Sequence, residues 1–266
     1  MTPAVSVTAP QFTQRWDEVV EAAQLAESLG FSGLFVFDHL VPIGEPPRPV
    51  FEMAAALGAI AAGTTTLRVG TLVMRVPLRG ELVSERIAAT VAAIAPGRFV
   101  LGLGAGDKLS GDEARRFGLS TGSLQARVGA VDGLVASMAE SQPDIPVWVG
   151  GSHPTILDVI RRRRAGWNGW GITAERFAEV AATIPGPTTW GGPVVLGRDR
   201  KEAAALVGER RSLAGDPDRV AAGLAEYLEA GAAEIVVSII PNRPERWQFF
   251  AEEVIPRLRE WSIGDR

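Results

Sequence analysis

The sequence predicts a single α/β domain, a (β/α)₈ barrel, on three observations. Short apolar runs alternate with longer helical patterns along the chain. Eight such units occur, over a length that suits a barrel of about 250 residues. No break in composition parts the 266 residues, so 1–266 are read as one domain. A doubly wound open sheet is the rival architecture, and eight units favour closure.

The elements follow in order. Ala4–Thr8 is the first strand. Arg15–Leu29 carries apolar Trp16, Val19, Val20, Ala23 and Ala26 at helical spacing, and Gly30 ends that helix. Gly33–Phe37 is apolar throughout, as a strand buried on both faces should be. Val50–Ala62 reads as a helix and Leu67–Val73 as the third strand. Gly80–Ala95 is a helix stopped by Pro96-Gly97, and Phe99–Gly104 is the fourth strand. An irregular stretch, Ala105–Thr121, precedes a helix at Ser123–Ala139. Ile145–Val149 is the fifth strand, and Pro154–Ala165 a helix with proline in its first turn. Gly166–Trp170 is the sixth strand, followed by a helix at Ala174–Thr183. Pro193–Leu196 is the seventh strand, with a helix from Lys201 onward. Asp216 caps the next helix, Pro217 starts it and Gly231 closes it. Glu234–Ile239 is the eighth strand and Pro244–Glu260 the last helix, where Pro256 predicts a kink.

Composition excludes several functions. With 27 basic and 31 acidic side chains the net charge is −4, which argues against a nucleic-acid binder. The absence of cysteine excludes disulfides, thiolate nucleophiles and cysteine-ligated metal centres. Met1–Pro10 lacks a basic region ahead of an apolar run, and no apolar stretch is long enough for a membrane span. A cytoplasmic protein without membrane or nucleic-acid partners is the expectation.

In such a barrel the site is built at the C-terminal ends of the strands. Asp38-His39, after strand two, is the best chemical pair there: a histidine to move a proton beside a carboxylate to anchor a donor. The structural reading is a turn cap and a packed imidazole. Gly102-Leu-Gly-Ala-Gly-Asp107 resembles a dinucleotide fingerprint but lacks the helix and the distant acidic strand end of one. Its glycines would let a flat ring approach the backbone, or simply make a tight turn. Gly150-Gly151-Ser152-His153-Pro154 joins a strand to a helix N-terminus, where free amides suit a phosphate. Arg198, after strand seven, is a weaker rival for that phosphate. His153 either contacts a ligand or only caps its helix. Arg161–Arg164 sit late in a helix, as a solvated face offsetting the dipole. Two distant histidines without carboxylates at ligand spacing give no metal site, and no G-x-S-x-G elbow supports a hydrolase.

Several landmarks then fall in a familiar order: Ala26-Glu-Ser-Leu-Gly-Phe31, Phe37-Asp-His39, Leu67-Arg-Val-Gly-Thr-Leu-Val73, Gly97-Arg-Phe-Val-Leu-Gly-Leu-Gly-Ala-Gly106, Pro146-Val-Trp-Val-Gly-Gly151, Ala165-Gly-Trp167 and Glu253-Val-Ile-Pro-Arg-Leu-Arg259. Together they resemble the luciferase-like monooxygenase superfamily, and within it the coenzyme F420-dependent oxidoreductases. The resemblance implies a deazaflavin at the barrel mouth and hydride transfer to or from a small organic substrate. The alternatives are an FMN-dependent monooxygenase and a non-catalytic flavin-binding protein on the same fold. It implies a non-prolyl cis peptide at Leu72–Val73 behind the ring. It implies that Asp38 holds the ring while His39 faces the substrate as proton donor or acceptor. It implies that Ala105, Gly106 and Asp107 line the ring and ribityl chain, Asp107 standing where the family often has Glu. Val149, Gly150, Gly151, Ser152 and His153 match the phosphate loop. Relatives that oxidise sugar phosphates carry a Glu after strand one and lysines for the phosphate. Here Pro10-Gln11 follows strand one, and the chain's two lysines, Lys108 and Lys201, lie elsewhere. The short stretch between Trp170 and Glu234 leaves little room for a covering insertion, so an open mouth is expected. Family members commonly pair through helices beside strands two and three, which implies a homodimer.

Overall fold

The computed structural model describes residues 3–42, 49–120, 122–208 and 212–264. Its strands are β1 (Ala4–Thr8), β2 (Gly33–Val36), β3 (Arg68–Thr71), β4 (Met74–Arg75), β5 (Phe99–Gly104), β6 (Val147–Gly150), β7 (Gly166–Trp170), β8 (Thr188–Leu196), β9 (Leu213–Gly215) and β10 (Glu234–Ile240). The helices are α1 (Trp16–Ser28), α2 (Met53–Gly63), α3 (Val76–Arg79), α4 (Glu81–Ile94), α5 (Lys108–Arg116), α6 (Leu124–Ser141), α7 (Pro154–Arg163), α8 (Ala174–Ala181), α9 (Arg200–Val207), α10 (Pro217–Glu229) and α11 (Pro244–Gly264). The parallel sheet runs β10-β1-β2-β3-β5-β6-β7-β8, and β8 pairs with β10 to close the barrel. β4 continues the third staple of the barrel beside β5, and β9 adds to the end of β8 beyond β7. None of the described helices is long and apolar enough to cross a membrane.

The strands alternate between two cores, as period-two geometry requires. Val5, Val7, Leu34, Val36, Leu101, Leu103 and Val149 face outward and pack under the helices. Phe35, Leu72, Val100, Trp148 and Val236 fill the barrel interior, with Phe35 stacked on Trp148 at 5.2 Å. At the N-terminal end the buried Glu234 carboxylate takes a bond from Ser6 Oγ and an ion pair from Arg68 at 2.7 Å. That end of a barrel belongs to stability.

Several boundaries differ from the sequence reading. β8 starts at Thr188 rather than Pro193, because Gly191-Gly192 reads as a turn. In the fold, a side chain at Gly191 would strike the Trp170 ring and one at Gly192 the Trp190 ring, so these glycines make room for indoles. The stretch 105–121, read as irregular, contains α5; Thr121 lies outside the described residues. The third strand breaks into β3 and β4, and α3 precedes α4. Asp216 accepts from the Arg219 amide as the predicted cap, with Pro217 opening α10. Pro256 lies inside α11, which continues to Gly264.

Glu27, in the last turn of α1, holds the loop into β3. Its Oε1 accepts from the amides of Thr65, Thr66 and Leu67 at 2.9, 2.5 and 2.9 Å. These bonds, Thr66 first, bring the carboxyl down to about 2. A depressed folded pKa contributes stability above the ordinary carboxylate value, lost as pH falls towards about 2. Glu27→Gln should cost about 1–2 kcal/mol at neutral pH, with the difference from the parent shrinking in acid. Urea denaturation at pH 7 and pH 3 measures both.

Candidate active site

The site begins with a mismatch between two strands. Gly70 pairs with Val100 and Met74 with Leu103, so four steps along the third strand oppose three along β5. The extra residue forms a bulge, with a cis peptide at Leu72–Val73 as the family resemblance implies. Thr71 Oγ1 bonds both the carbonyl and the amide of Gly102, at 2.7 and 3.0 Å, and so satisfies backbone groups the bulge leaves behind.

The bulge explains three glycines. A Cβ at Gly104 would lie 2.4 Å from Val73 Cγ2, and one at Gly150 would lie 3.0 Å from Val73 Cγ1. At Gly102 it would lie 2.0 Å from the Thr71 carbonyl oxygen. The sequence reading offered these glycines as bare backbone for a ring or as a tight turn. In the fold Gly102 and Gly104 stand within β5, and they admit the bulge itself.

Asp38 lies just beyond β2 and is 2% exposed. Its Oδ2 accepts from the Arg75 amide at 2.7 Å and from Arg79 at 2.5 Å, while its buried Oδ1 has no donor among the described residues. Arg79 also pairs at 2.5 Å with Glu52, whose side chain caps α2 on the Ala55 amide. Asp38 therefore ties β2 to the bulge and, through Arg79, to α2.

His39 is partly exposed, and its Nδ1 lies 3.2 Å from Glu113 Oε2. Glu113 comes from α5 and is 6% exposed. Arg75 grips it in a fork at 2.7 and 3.1 Å, and the amides of Leu40 and Val41 donate to its Oε1. Burial alone would raise the Glu113 carboxyl, but Arg75, the Leu40 amide and His39 together bring it below its ordinary value. An ionised Glu113 makes Nδ1 the protonated nitrogen of a neutral imidazole, leaving Nε2 as the acceptor. Sequence reasoning missed Glu113, which lies in the stretch without evident periodicity.

The remaining candidates are arranged as follows. Leu72 is buried in the inner core and Val73 is packed against it. Arg127 of α6 donates to the carbonyls of Ala105 and Gly106 at 3.0 and 2.7 Å, fixing the loop that leads to exposed Asp107. Gly106 has φ of 72°, a region that favours glycine. Val149 lies in β6 and packs into the outer core. Gly150 ends β6, and Gly151, Ser152 and His153 are exposed ahead of α7. Trp167 Nε1 donates to the Gly151 carbonyl at 2.9 Å. His153 caps α7, its Nδ1 facing the Thr155 amide at 3.4 Å, which is the capping role of the two considered. Arg198 is exposed and engaged by Glu202 at 3.0 Å.

The sequence profile described as luciferase-like monooxygenase matches residues 1–129. Over that N-terminal stretch, just under half of the 266 residues, the chain is similar to the luciferase-like monooxygenase family. It is similar to an F420-dependent glucose-6-phosphate dehydrogenase of Beutenbergia cavernae, with 32% identity over 58% of this chain. That match spans 52% of the relative, so the chain covers about half of its length. A protein of the same description from Amycolatopsis mediterranei is 24% identical over 95% of this chain and 97% of its own. Among solved structures, an F420-dependent secondary alcohol dehydrogenase in complex with an F420-acetone adduct superposes with a TM-score of 0.79. It is 15% identical, and the match covers 97% of this chain and 100% of that one. The F420-dependent tetrahydromethanopterin reductase of Methanopyrus kandleri gives 0.75 at 16% identity, over 97% of this chain and 99% of its own. These structural likenesses show a shared (β/α)₈ barrel fold.

The bulge geometry makes a direct prediction. Gly104→Ala should destabilise the barrel by about 1–3 kcal/mol, because its methyl overlaps Val73. Gly58→Ala, in α2 with nothing near its Cβ, should instead stabilise by about 0.5–1 kcal/mol. Paired urea melts check the contrast.

Proposed function

We propose that the chain is an oxidoreductase that moves a hydride between coenzyme F420 and a small organic substrate. The observation that carries the reading is Asp38-His39, locked at the end of β2 against the cis bulge. The names of the relatives support the coenzyme assignment. A buried carboxylate oxygen without a donor, Asp38 Oδ1, fits a ligand N–H or O–H group.

In this reading Asp38, Leu72 and Val73 back the deazaflavin ring, and Ala105, Gly106 and Asp107 follow its ribityl chain. Val149, Gly150, Gly151, Ser152 and His153 take the phosphate through backbone amides ahead of α7. The coenzyme, when bound, supplies or accepts the hydride. The free Nε2 of His39 takes a proton from the substrate oxygen in one direction and returns it in the other. Glu113 keeps the imidazole oriented, and Arg75 keeps Glu113 ionised and in place. The chain works in the cytoplasm and pairs as a homodimer in this reading. Leu82 and Val83 of α4, 83% and 53% exposed, support pairing beside the third strand.

Fluorescence titration of the purified protein with F420 and with FMN tests the coenzyme. Tighter F420 binding is expected; a preference for FMN would move the reading to a monooxygenase, and binding of neither would remove it. His39→Ala should cut turnover about a hundredfold or more while leaving F420 affinity nearly unchanged. Glu113→Gln should lower turnover about tenfold with a smaller change in affinity. Steady-state rates beside coenzyme titrations separate these effects.

A further inference from the structure

The strand order sets two sides of the mouth against each other. Around the closed barrel β2 and β7 stand four strands apart, on opposite walls. Yet Phe37, just past β2, meets Trp170, the last residue of β7, edge-to-face at 5.5 Å. Phe12, past β1, stacks on Phe37 at 6.0 Å, and the His39 ring lies 6.4 Å from Phe37. The rings thus form a continuous surface across the mouth, ending at the group read as the proton carrier. Trp170 is 39% exposed, although the rest of β7 is buried. The bulge, Gly104 and Gly150 belong to the other wall, around β3 to β6.

Three polar groups past the strands on the aromatic side, Gln11, Arg198 and Arg246, are already engaged. Gln11, fully buried after β1, gives its amide to the carbonyls of Phe37 and Phe51 and accepts from the Phe37 amide. Arg198 and Arg246, beyond β8 and at the start of α11, both bond Glu202, and that carboxyl is brought down to about 2, chiefly by Arg246.

We propose that Phe12, Phe37 and Trp170 form the substrate platform and select a flat, uncharged ring rather than a phosphorylated sugar. The proposal rests on the F420 reading of the opposite wall. An aromatic face binds such a ring by offset or edge contact and leaves its polar edge free to reach His39. Trp170 is the specificity-determining residue, because its indole is the most open of the three.

The test uses calorimetric titration of the protein, with and without F420, against two probes. Indanone is a flat neutral bicyclic ketone, and glucose 6-phosphate is the charged alternative. Indanone should bind and glucose 6-phosphate should not at the same concentration. Trp170→Ala should weaken indanone binding about five- to tenfold while F420 affinity stays nearly constant, and Trp170→Phe should restore most of the loss. Phe12→Ala supplies a second reading if Trp170→Ala does not fold. Tighter binding of glucose 6-phosphate, binding of neither probe, or an indanone affinity indifferent to both alanine variants would overturn the proposal. Parent protein that binds indanone but not F420 would remove the coenzyme reading and leave the platform standing.

Discussion

The carboxylate of Asp38 is the constraint on which the mouth depends. One oxygen receives both the Arg75 amide and the Arg79 guanidinium, so a single buried group fixes where the third strand resumes after its bulge. The bulge in turn places Val73 over β5 and β6, and that is possible only where the facing residues lack a Cβ. Arg79 carries the same constraint outward to Glu52 and the cap of α2. Removing one partner from such a buried ion pair leaves the other desolvated and alone, which is why the arrangement resists piecemeal change.

A second cluster depends on the first. Arg75 donates its amide to Asp38 and its guanidinium to Glu113, so backbone placement at the bulge also sets the position of the carboxylate beside His39. Glu113 bonds the Leu40 and Val41 amides as well, which anchors the segment after His39. The imidazole is thereby oriented by a helix from the far side of β5. A histidine on a strand end needs such a partner if its free nitrogen is to point at one place.

The barrel itself was legible because parallel strands covered on both sides are continuous apolar runs closed by glycine and proline. Phe99–Gly104 and Gly166–Trp170 match their strands end to end. Asp38 and His39 were legible as candidates, because they fall just past a strand end, where barrel sites are built. Their partners were not. Glu113 is 74 residues from His39, on a helix whose Gly111 and charged surface hide its periodicity. Gly102 and Gly104 looked like a ligand loop because a glycine needed for backbone space and one needed for a neighbouring side chain read alike. β9 has three residues, too few to show a period. Gly191-Gly192 hid the first half of β8 for the same reason: the indoles they accommodate come from Trp170 and Trp190.

The direction of the carboxylate shifts decides how the mouth responds to pH. Burial works against ionisation at both Glu113 and Glu52. The bonds from Arg75, Leu40 and His39 to the first, and from Ala55 and Arg79 to the second, outweigh it and hold both below their ordinary values. Such groups contribute their stabilisation above the ordinary carboxylate value and lose it only as pH falls through the lowered one. The clamp is therefore intact on both sides of neutrality. Loosening of the segment after β2 therefore belongs to acid conditions below the ordinary carboxylate value, where protonation of Glu113 weakens its bonds to Arg75 and to the Leu40 and Val41 amides.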